Sequence, residues 1–64
     1  MNISLNGQSQ NIRQIRTLNQ LVAEFCPEPK HVVVEHNGTI IKRKQKEKTS
    51  LKEGDAVELL TLMG

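Results

Sequence analysis

The chain has 64 residues, of which 36% are hydrophobic and 25% charged, and it carries a formal net charge of +2. So short a chain buries only about 60% of its unfolded surface, leaving very little room for an enclosed active site. The balance of apolar and charged residues excludes a disordered polyelectrolyte, and the mild charge does not by itself call for nucleic acid or a membrane.

No apolar stretch approaches the ~20 residues of a membrane span. The N-terminus lacks the basic-then-apolar pattern of a secretory signal. Cys26 is the single cysteine, so no internal disulfide can form, and small extracellular domains usually need such staples. A reducing compartment, cytoplasm or plastid stroma, is therefore expected. No repeat or composition break divides the sequence, which predicts one domain over 1–64.

In chain order, Asn2-Ile3-Ser4-Leu5 alternates polar and apolar and predicts a half-buried strand. Asn6-Gly7 is a strong hairpin signal, because a type I′ turn needs positive φ at both central positions. The return run Gln8 to Ile12 is almost wholly polar and suits a sheet edge. Arg13 to Arg16 connects to Thr17-Leu18-Asn19-Gln20, which fits a capping box. Leu18, Leu21, Val22 and Phe25 then mark one apolar helix face, and Pro27 and Pro29 end the helix. A helix this short is marginal alone, so the face is expected to pack on a sheet.

His31 to His36 is a β-branched strand, Asn37-Gly38 a second hairpin turn, and Thr39 to Lys42 its partner. Arg43 to Ser50 is charged and expected to be irregular, Lys52 to Asp55 is a turn, and Ala56 to Leu62 is the last strand. Strands with one helix on one face make an α+β domain. The expected core is Ile3, Leu5, Leu18, Leu21, Val22, Phe25, Val32, Val34, Ile40, Leu51, Val57 and Leu59.

The final strand has more apolar residues than one face can use. With Val57 and Leu59 toward the helix, alternation puts Leu60 and Leu62 on the outer face with Glu58. Together with Val33 they predict an exposed apolar patch of the kind that binds partners. Packing under the basic loop or into a homodimer is the competing reading.

Other constellations carry less. Lys42 to Lys48 is strongly basic, yet the chain has one Phe, no Tyr and no Trp on which bases could stack, and Phe25 belongs to the expected core. A solvated loop is the simpler reading, with docking to an acidic partner second and nucleic acid last. His31 and His36 fall on opposite strand faces and make no metal site. Cys26 reads as a structural thiol. Glu35 and Glu58 could pair, but no deep groove is expected around them, and nothing else supports an enzyme.

The order of elements resembles the ubiquitin-like β-grasp fold, a mixed four- to five-stranded sheet with one helix. Within that fold the chain is similar to the bacterial-type sulfur carriers of thiamine biosynthesis. The matching residues are Ile3-Ser4-Leu5-Asn6-Gly7, Val32-Val33-Val34-Glu35 with Asn37-Gly38, and Leu51, Gly54, Asp55, Val57 and Glu58 of the family's L-x-x-G-D-x-V-E segment.

The resemblance implies a carrier without catalytic residues or bound cofactor. Its terminal glycine, Gly64, would be adenylated with ATP by a ubiquitin-activating-like enzyme and converted to a thiocarboxylate. The sulfur would come from a cysteine desulfurase system and pass to the thiazole synthase. Leu60, Leu62 and Met63 are the expected partner-binding residues, although alternation leaves Met63 on the opposite side. The small subunit of molybdopterin synthase is a related alternative, though usually longer, and a non-covalent ubiquitin-like binding module is another. The family pattern ends Gly-Gly whereas this sequence reads Met63-Gly64, so either a second glycine follows Gly64 or the tail of this protein differs from the pattern. An ionised carboxylate can attack phosphorus, and glycine, lacking Cβ, can follow whatever path a narrow channel imposes.

Overall fold

The computed structural model describes residues 1–26 and 32–61. The strands are β1 (Asn2–Leu5), β2 (Gln8–Asn11), β3 (Val32–His36), β4 (Thr39–Ile41) and β5 (Ala56–Thr61), with one α-helix, α1 (Leu18–Phe25), and a short 3-10 helix at Arg43–Gln45. They form a five-stranded sheet in the order β2-β1-β5-β3-β4. The last strand is thus the central one, parallel to β1 and antiparallel to β3.

Both hairpins turn as their Asn-Gly pairs require. Asn6 and Asn37 hold φ near 51° and 52°, and Gly7 and Gly38 follow at 81° and 85°. Asparagine tolerates this left-handed region and glycine enters it freely. The polar β2 lies at one edge, as expected.

α1 starts with the predicted capping box. Thr17 Oγ1 accepts from the Gln20 amide at 3.2 Å, and Gln20 Oε1 accepts from the Thr17 and Arg16 amides. Leu18, Leu21 and Val22 are buried against Ile3, Leu5, Val34, Leu51 and Val57. The segment after β4 is less irregular than the sequence suggests. Gln45 Oε1 accepts from the Lys42 amide, and the chain then bonds to the start of α1 through Thr49 O, Lys46 O and a bridge between Thr17 and Ser50.

Three core assignments are corrected. Phe25 is 43% exposed. It belongs to the last turn of α1, and the cleft beside it is lined in part by the polar Asn6, Gln8 and Gln10, which give it little apolar cover. Ile40 is 65% exposed, because the register sets it against outward-facing Glu35 while Ile41 pairs with Val34 and packs on the core. Two consecutive isoleucines leave alternation ambiguous by one residue, and the register decides. Conversely, Ile12 is buried at the end of a polar run. Its amide donates to Met1 O and its carbonyl accepts from the Met1 amine, so the first hairpin continues one residue further and turns Ile12 inward.

The entry into β5 is fixed by Asp55, which is itself buried. Asp55 Oδ2 lies 2.7 Å from His36 Nε2 and accepts from the Lys52 amide, while Oδ1 accepts from Asn37 Nδ2. Desolvation pushes the carboxyl upward, but hydrogen bonds from His36, Asn37 and the Lys52 amide outweigh it and hold Asp55 below the ordinary aspartate value. A carboxyl depressed in the native state stabilises the fold above its unfolded pKa of about 3.9 and loses that contribution as pH falls through the native value. Asp55→Asn is therefore expected to cost about 1–3 kcal/mol at pH 7. Urea denaturation of both proteins should show the difference shrinking below about pH 4. A gap that persists at pH 2 would assign the loss to packing instead.

Candidate functional site: the outer sheet face and the approach to the C-terminus

α1 covers one face of the sheet, and among the described residues no second helix covers the other. Pairing of Val33 with Leu60, Glu35 with Glu58, and Glu35 with Ile40 places these residues on the outer face. Leu60 is 47% exposed, and Val33 and Glu35 are half-buried. The alternation along β5 is as expected: Val57 is buried and Leu59 packs on the core, while Glu58 and Leu60 face outward. The exposed isoleucine of β4 adds a third apolar residue to this face, which the expected inward placement of Ile40 had concealed.

Leu60 is the one expected site residue within the described part. Leu62, Met63 and Gly64 lie outside the described residues, as does His31. The opposed histidine placement expected from the sequence is therefore not addressed, although among the described residues no group of three metal-ligating side chains occurs. No helix among those residues is long and apolar enough to cross a membrane. Cys26 is half-buried against the core.

The course of the chain toward Gly64 is set by an arrangement that sequence reasoning did not identify. β1 ends at Leu5, but Asn6 continues its role. The Asn6 amide donates to Val57 O at 2.9 Å. Its side-chain oxygen accepts from the Leu59 amide at 2.7 Å, and its Nδ2 donates to Leu59 O at 3.3 Å. One carboxamide thus replaces the next strand residue and satisfies both backbone groups of Leu59. Asn37 holds the start of β5 in a related way: its backbone N–H donates to Ala56 O, its Oδ1 accepts from the Ala56 amide, and its Nδ2 donates to Asp55 Oδ1. On its other side β5 stays paired to β3 as far as Thr61, opposite Val32.

Comparison with known proteins follows this geometry closely. The model of the ThiS family matches residues 3–64. The chain belongs to the ThiS family. A crystal structure of the thiamine biosynthesis protein ThiS from Geobacter metallireducens is similar with a TM-score of 0.88 at 31% identity, covering 100% of this chain and 97% of that one. A solution structure of a thiamine biosynthesis protein from the same organism is similar with a TM-score of 0.80 at 33% identity, covering 100% and 86%. No curated protein matches. The fold shared with these ThiS structures is the ubiquitin-like β-grasp, with its mixed sheet and single packed helix.

The Asn6 clamp makes a local prediction. Asn6→Ala should cost about 1 kcal/mol, since the bonds it removes are partly solvent-exposed. Amide exchange at Leu59 should accelerate well beyond that at Val57. Unchanged protection of Leu59 would show that the carboxamide does not hold this part of β5.

Proposed function

We propose that this chain is a sulfur carrier of thiazole formation in thiamine biosynthesis, acting as one domain over 1–64 in the cytoplasm or plastid stroma. The observation that carries the reading is the ThiS family match, which extends over the final residues of the sequence. The reaction proposed is acyl activation of the terminal glycine. A carboxylate oxygen of that glycine attacks the α-phosphorus of ATP in the site of an adenylating enzyme, and pyrophosphate leaves. Sulfur derived from cysteine, released as hydrosulfide when a thiol reduces a persulfide to a disulfide, then displaces AMP from the acyl carbon, giving a thiocarboxylate that donates sulfur to the thiazole synthase.

In this scheme the chain supplies no acid, base or cofactor. It contributes a carboxylate already ionised at neutral pH and a path on which to deliver it. An extended chain advances about 3.3 Å per residue, so a few residues beyond Thr61 suffice to carry a terminal carboxylate clear of a sheet. The outer face, with Leu60 beside that path, supplies recognition.

Incubating the carrier, with its natural C-terminus, with the adenylating enzyme, ATP and a sulfur source should exchange one oxygen mass for sulfur at the terminal residue. An unchanged intact mass beside a demonstrably active enzyme would rule the chemistry out. Separately, Leu60→Glu should fold normally, because Leu60 is exposed, and should weaken binding to the adenylating enzyme by placing a charge in an apolar contact. Undiminished affinity in that variant would remove the outer face from the recognition surface.

A further inference from the structure

The outer face carries a feature that an apolar patch does not need. Glu35 and Glu58 are directly opposed on adjacent antiparallel strands, which places their Cβ atoms about 4.5–5.5 Å apart. Like charges placed directly opposite one another destabilise a sheet. Among the described residues the ion pair within 4 Å is His36–Asp55, and neither glutamate takes part in one. The pair is bordered by Ile40 across β4 and by Val33 and Leu60 one step along toward the chain end.

We propose that Glu35 and Glu58 together receive one arginine of the adenylating partner, seated among Ile40, Val33 and Leu60. This rests on the reading above that the outer face docks that enzyme, and it names the chemistry of the contact. Two carboxylates on neighbouring strands offer four acceptor oxygens, and a guanidinium offers five N–H donors in a planar fork that can serve both. Arginine is also weakly hydrated, so its plane tolerates apolar walls that a compact, strongly hydrated lysine ammonium would resist. A divalent cation fits less well, since the face supplies carboxylates from two residues only and no group of three ligands is present among the described residues. A second copy of this chain, stacked face to face about a two-fold axis, would bring four carboxylates together and is disfavoured by the same repulsion. Docking a cation relieves the strain between the glutamates, so the free protein's small instability becomes affinity and partner selectivity.

The test is binding of the full-length carrier to its adenylating enzyme by calorimetry, at low and at physiological salt. Glu35→Gln and Glu58→Gln should each weaken binding about 10- to 100-fold, the range for losing charge-assisted hydrogen bonds. Wild-type affinity should fall as salt rises, and the double variant should lose most of that dependence. Thermal melts of the glutamine variants should be equal to or above wild type, since repulsion is removed; a purely structural role predicts the reverse. Glutamine variants that bind as wild type while Leu60→Glu binds poorly would overturn the arginine contact and leave the docking face standing. Unchanged binding in all three would remove the face itself. Salt-independent wild-type binding, or a wild-type dimer that the double variant dissociates, would likewise overturn the proposal.

Discussion

The structure depends on holding β5 in the middle of the sheet. A central strand must satisfy backbone groups on both edges, and here β1 is too short to do so alone. The two Asn-Gly turns make up the difference. Asn6 and Asn37 each turn the chain with positive φ and then spend the side-chain carboxamide on β5, at Leu59 and Ala56. Asp55 ties the same region to His36, Asn37 and the Lys52 amide. Residues that read locally as turn formers are thus the tertiary fasteners of the last strand.

Fixing β5 fixes the division of labour between the faces. A chain of this size has apolar residues and helix enough to close one side only. That side takes Ile3, Leu5, Val34 and Val57 beneath Leu18, Leu21 and Val22, and it holds the stability of the domain. The other side keeps Leu60, Ile40 and Val33 around two glutamates. Among the described residues no buried side-chain polar atom goes without a hydrogen bond, so the unresolved electrostatics are confined to the exposed face. A cost left uncorrected on the surface, in a fold otherwise satisfied, points to binding rather than to folding.

Much of this was legible from sequence because local signals agreed with one another. The capping box at Thr17, the Asn-Gly turns, the polar edge strand and the β5 alternation all follow from residue spacing. What was not legible depended on strand order and register. Ile40 and Ile41 are interchangeable until pairing with Val34 and Glu35 is known. Phe25 fits the helix stripe, yet its exposure follows from the polar residues that line the cleft beside it. Ile12 is buried by continuation of a hairpin that composition alone would end earlier. The pairing of Glu35 with Glu58 and the clamp of Asn6 on Leu59 join residues 23 and 53 apart in sequence, a separation that no local pattern reports.

The central position of β5 also bears on how much ordering the proposed docking would require. Were the last strand at an edge, fraying would loosen the segment before Gly64, and docking would have to order it again. Here Asn6 holds β5 on one side as far as Leu59, and pairing with β3 holds it on the other as far as Thr61. In the proposed function, docking would therefore not have to order β5 itself. Leu60, on the held part, faces outward in the same register that fixes the glutamate pair. In the proposed function, recognition and delivery would share this one strand, so a partner that seats the outer face would also align the approach to the terminal carboxylate.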